Sequence, residues 1–126
     1  MFQNEVTGGM KISRPSVFQY SSFAHFLSSY MAFRKAQKPN FSYRLLGRMA
    51  GIRSQSLVAM IALGHRLPSN DALEKLMTAL DFDTKEAEYA RLLVARDRAK
   101  DEELKVFYSQ KLSQIQQGSG TESQAS

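Results

Sequence analysis

Phe41–Phe82 reads FSYRLLGRMAGIRSQSLVAMIALGHRLPSNDALEKLMTALDF, and this stretch decides the fold. Its apolar residues recur three and four apart, the spacing that puts them on one face of a helix. Ser42 is a good N-cap, because its hydroxyl can accept from the free amides of a first helical turn. The helix it opens carries Leu45, Leu46 and Met49 inward. Gly51 ends that helix, since glycine enters the left-handed closing geometry without a Cβ penalty. Ser54 caps a next helix, which runs to about Leu63 and stops at Gly64. After the loop His65-Arg66-Leu67-Pro68, Ser69 or Asn70 caps a further helix holding Leu73, Leu76, Met77 and Leu80. Gly47 lies inside the Ser42 helix, where glycine costs about 1 kcal/mol relative to alanine. The position makes sense if the following helix lies across it with no room for a side chain.

Helices extend on both sides of this stretch. One spans about Ser22 to Gln37 around Phe23, Phe26, Leu27, Tyr30, Met31 and Phe33, and Lys38-Pro39-Asn40 stops it. Asp83-Thr84-Lys85-Glu86 is spaced as a capping box, in which an acid or hydroxyl and a Glu three residues on satisfy each other's amides. It opens a fifth helix with Tyr89, Leu92 and Leu93. A sixth begins near Asp101-Glu102-Glu103, acids that complement a helix N-terminus, and presents Leu104, Phe107, Tyr108 and Leu112. Helices five and six also read as one long helix. No stretch alternates as a strand would. The expected fold is all-α, a bundle of five or six helices. Residues 1–20 read as a flexible arm with order near Val17–Tyr20, residues 21–115 as the folded unit, and residues 116–126 (QQGSGTESQAS) as a disordered tail too polar to bury a core.

The 126-residue chain contains no cysteine, which removes disulfides, thiolate metal sites and a cysteine nucleophile. Its longest apolar run, Leu57 to Leu63, is far short of the roughly 20 residues a spanning helix needs. The first residues carry Glu5 and no apolar core of a secretory signal. The expected location is the cytoplasm, with no membrane contact. The net charge is +5, and its placement matters more than its size. Seven basic residues (Arg34, Lys35, Lys38, Arg44, Arg48, Arg53, Arg66) and both histidines fall between Ser21 and Asn70, where there is no Asp or Glu. From Asp71 onward eleven acids face eight bases. A one-signed half of a small domain makes a positive field that attracts polyanions.

Four motifs run in order: Leu45-x-Gly47-x-x-x-Gly51-Ile52, Ser54-x-Ser56-Leu57-x-x-x-Ile61, Gly64-His65-Arg66-x-Pro68-Ser69 and Ala72-Leu73-x-Lys75-Leu76-x-x-Ala79-Leu80. Together they resemble the helix-turn-helix domain of phage-repressor-type (XRE/Cro-like) regulators. The chain is similar in more detail to an uncharacterised bacterial family of putative regulators, in which such a module precedes a longer C-terminal domain. On this reading the 126 residues are expected to be a stand-alone module or a truncated relative without that domain, and Gly51 to Gly64 is one residue longer than in phage repressors. The resemblance implies a transcriptional regulator that binds double-stranded DNA, with helix 54–63 in the major groove and a homodimer as the expected assembly.

On that helix, Leu57, Met60 and Ile61 share one face and are expected inward. Gln55, Ser56, Val58 and Ala59 are then the candidate base contacts: glutamine can pair bidentately with adenine, serine can donate or accept, and apolar groups can pack on thymine methyls. Lys38, Ser42, Arg44, Arg48, Arg53, His65 and Arg66 are the candidate phosphate contacts, which position a protein on DNA without specifying sequence. The alternative is a protein–protein adaptor. Its helix would offer Val58, Ala62 and Leu63 outward as an apolar patch of the kind that marks protein contacts. The candidate dimer surfaces are the first helix or helices five and six, where Tyr30, Phe33, Phe107 and Tyr108 exceed what a small core needs. No spacing of His, Asp or Glu suggests a metal site, and no glycine-rich phosphate loop or catalytic pair is present. An enzyme and a bound cofactor are therefore not expected.

Overall fold

The computed structural model describes residues 14–125. Within them a 3-10 turn (Val17–Gln19) leads into six α-helices: α1 Phe23–Gln37, α2 Tyr43–Ala50, α3 Leu57–Ala62, α4 Asn70–Ala79, α5 Thr84–Arg98 and α6 Glu102–Ala125. Side-chain caps set most starts. The hydroxyls of Ser22, Ser42 and Ser69 accept from the amides of His25, Leu45 and Ala72 at 3.1, 3.0 and 3.1 Å. Asp83 and Glu86 form both bonds of the capping box, each 2.8 Å. Helices five and six are separate: Ala99 is extended and the Asp101 carboxylate accepts from the Glu103 amide at 2.8 Å.

One apolar cluster joins all of these elements, from Val17 through α1 (Phe26, Leu27), α2 (Leu46), α3 (Val58, Ile61), α4 (Leu76) and α5 (Leu93) to Leu112 of α6. α3 packs on α1 and α2, α2 also packs on α4, and α6 lies against α5 and the 3-10 turn. No described helix is long and apolar enough to cross a membrane.

The packed unit is wider than residues 21–115. Val17 is fully buried, Arg14 donates to the Leu80 carbonyl, and the Tyr89 hydroxyl donates to the Tyr20 carbonyl at 2.9 Å. Residues 14–20 thus belong to the body, because one apolar side chain in a short polar segment is enough to seat it. The remainder of the arm, residues 1–13, lies outside the described residues. At the other end α6 continues past Ile115, and the Gln116 side-chain Nε2 donates to the Phe18 carbonyl at 2.7 Å.

Two faces differ from the periodicity reading. Met49, expected inward, is 51% exposed. The buried side of α2 is centred on Leu46 and Gly47, and it swings toward the glycine because α3 fills that side. α3 itself is rotated by one residue: Val58, Ile61 and Ala62 are buried, whereas Leu57 and Met60 are only half-buried. The contact that fixes this is Val58 on Gly47, where a Cβ would meet Val58 Cγ2 at 3.3 Å. The expectation that α3 crosses α2 at the glycine holds, with Val58 as the residue that does it.

Candidate nucleic-acid interface

Arg44 and Arg48 are four apart on α2 and both exposed, so they stack along one flank. α2 ends in a Schellman cap: Gly51 takes φ 78°, the Ile52 amide donates to the Gly47 carbonyl at 2.8 Å and the Gly51 amide to that of Arg48 at 3.1 Å. This reversal returns the chain beside the flank it has just left. Arg44, Arg48, Ile52, Arg53, Ser54 and Gln55 consequently line one depression of about 160 Å³. Three guanidinium groups, a hydroxyl and a carboxamide share it. Arginine presents a rigid fork of five donors that matches phosphate oxygens, so the depression suits an oxyanion with a polar edge beside it.

The remaining arginines show why these are distinctive. Arg34 donates to the Tyr30 hydroxyl at 2.9 Å and stacks 4.3 Å from the Phe41 ring centroid. Arg91 grips Glu74 with two bonds of 2.6 and 2.9 Å. That bond holds the Glu74 carboxyl below the usual carboxylate range, with charge attraction helping and desolvation opposing. Arg96 donates to the Ser21 carbonyl. Arg98 donates to the Pro68 carbonyl and, at 3.1 Å, to Asn70 Oδ1. With Arg14, five of the nine arginines are spent on holding the fold. Among the described residues the other four, Arg44, Arg48, Arg53 and Arg66, make no side-chain hydrogen bond or ion pair.

The rest of the candidate set divides. His65 and Arg66 are exposed in the connection after α3, and Lys38 is exposed after α1; none of the three lines the depression. The Ser42 hydroxyl is engaged as the α2 cap, and its proton remains free to donate. Gln55 and Ser56 are exposed and Ala59 is half-buried. Val58 is corrected: it is fully buried against Gly47 and cannot reach a base. The adaptor patch shrinks for the same reason, since Val58 and Ala62 are core and only Leu63, 63% exposed, faces outward.

Ser54, expected as the α3 cap, is instead exposed and lines the depression beside Arg53 and Gln55. It does not cap α3, which begins three residues later at Leu57 after Ser56, without any side-chain cap. The polar atoms near the turn therefore lie in the connection Ser54-Gln55-Ser56, ahead of the helix. Nothing in the sequence separates the two faces, because Leu57, Met60, Ile61 and Val58, Ile61, Ala62 have the same helical spacing. Comparison with protein-family models, with curated proteins and with solved structures gives no match.

Proposed function

We propose that α2, the Gly51–Ser56 connection and α3 form a helix-turn-helix that binds double-stranded DNA as a cytoplasmic transcriptional regulator. The observation that carries this reading is the convergence of Arg44, Arg48 and Arg53, unpaired among the described residues, with Ser54 and Gln55 in one depression. Unpaired guanidinium groups can neutralise backbone phosphates and release the counterions condensed there, the main source of affinity for a polyanion. Gln55, Ser54 and Ser56 supply the donors and acceptors that base edges require. Arg66 and His65, at the opposite end of α3, extend the basic surface along the duplex. The adaptor alternative retains only Leu63 of its three residues, so the burial of Val58 and Ala62 favours DNA.

The test is a titration with mixed-sequence duplex at several salt concentrations. Log affinity should fall steeply with log salt. Arg44→Ala and Arg48→Ala should each reduce the slope by about one unit. Arg91→Ala removes an equal charge outside the surface and should leave the slope nearly unchanged. On a selected high-affinity site, Gln55→Ala should narrow the ratio of specific to non-specific affinity by about tenfold. No binding at low salt, or equal slopes for Arg44→Ala and Arg91→Ala, would overturn the reading.

A further inference from the structure

α6 turns Tyr108, Leu112 and Ile115 toward the body, yet among the described residues a second stripe beside them has no cover. Leu104 is 45% and Phe107 49% exposed, and Glu103 and Lys111 are exposed as well. Glu103, Phe107 and Lys111 lie four apart, and Leu104 and Phe107 three apart, so all four occupy adjoining positions on one helix face. The Lys111 ammonium sits 5.4 Å from the Phe107 ring centroid. Among the described residues neither Glu103 nor Lys111 has an ion-pair partner for its side chain. Of the aromatic residues in excess of a small core's needs, Tyr30 is buried and Phe33 and Tyr108 are half-buried, leaving Phe107 as the exposed one.

The pattern is self-complementary in one orientation. If two α6 helices meet antiparallel about a twofold axis at Phe107, each residue faces the one equally far on the other side of the axis. Phe107 then meets Phe107, Leu104 meets Gln110, and Glu103 meets Lys111 twice over. In a parallel pairing Glu103 would meet Glu103 and Lys111 would meet Lys111, which like charges disfavour. An isologous interface demands this kind of symmetry, with residue i on j and j on i. We propose that the Leu104–Phe107 face of α6 is a homodimer surface, in which two copies pack antiparallel about Phe107 with reciprocal Glu103–Lys111 pairs. This inference stands independently of DNA binding. The overlap covers about three helical turns, well below a standard interface of about 1,600 Å², so the copies should exchange readily.

The test is the weight-average mass of the full chain by sedimentation equilibrium, from about 1 μM to about 1 mM, a range that brackets a weak association. Mass should climb from monomer toward dimer. Phe107→Glu should leave the chain monomeric while its helical circular dichroism is unchanged, because the side chain is half out of the fold. Lys111→Glu should weaken association by at least about tenfold, and adding Glu103→Lys should restore it. A wild-type chain that stays monomeric throughout overturns the proposal. So does a dimer indifferent to Phe107→Glu, or a charge reversal that the second substitution fails to rescue.

Discussion

Asp81 closes α4 at φ 62°, in the conformation that Gly51 and Gly64 adopt at 78° and 80° to close α2 and α3. The bonds are the same in kind: the Phe82 amide donates to the Met77 carbonyl and the Asp81 amide to that of Thr78, each 3.0 Å. A Cβ is disfavoured there, and a negative charge at a helix C-terminus opposes the helix dipole. Asp81→Gly should therefore raise stability by about 1 kcal/mol, read as a shift of the urea midpoint. Gly51→Ala should do the opposite by about the same amount; no atom lies within 4 Å of the added methyl, so the cost is backbone strain alone. Gly47 differs, since its φ is ordinary and its neighbour is the constraint. Gly47→Val should lose about 2 kcal/mol through overpacking on Val58, and DNA affinity should fall with it as α3 is displaced. The sequence made all three glycines visible as stops or contacts. It concealed which side chain meets Gly47, because that depends on how far the connection runs before α3 begins.

At the scale of elements, α1, α2, α4 and α5 were legible, since Ser22, Ser42, Ser69 and the Asp83–Glu86 box cap the helices they announce, while the sequence leaves the break between α5 and α6 open. α3 is the exception: Ser54 looks like a cap, but three residues of turn precede Leu57. A six-residue helix is too short for its own pattern to fix its phase, so the packing of Val58 on Gly47 decides it. Elsewhere, side-chain ties between helices set what no pattern reveals. Arg91 of α5 and Glu74 of α4 are each half-exposed, so the pair contributes about half a kcal/mol at neutral pH. Its sign with pH is definite. The folded Glu74 carboxyl lies below its ordinary value of 4.5, so the contribution is present above that value and disappears as pH falls through the lowered folded one. Glu74→Gln should accordingly flatten the acid limb of the stability profile below about pH 4.5 and leave its alkaline limb unchanged, as followed by thermal melts across pH.

For the whole molecule, a single cluster from Val17 to Leu112 implies one cooperative unfolding transition. Val17 belongs to it: the sequence reading expects order near Val17–Tyr20 but not a core residue there, because one buried side chain leaves no periodic trace. Val17→Ala should cost about 2 kcal/mol and lower the melting midpoint by about 10 °C. Charge is divided on the same scale: the arginines engaged in the fold connect α1, α4 and α5, while the unengaged ones gather around α3. That division has a consequence for proteolysis. Trypsin needs a non-helical lysine or arginine, and it does not cut before proline, which spares Lys38. The described irregular segments then leave Arg53, Arg66 and Lys100 as the scissile positions. A bound duplex should shield the first two bonds and leave cleavage after Lys100 untouched, so a single digest carries both the footprint and its own control.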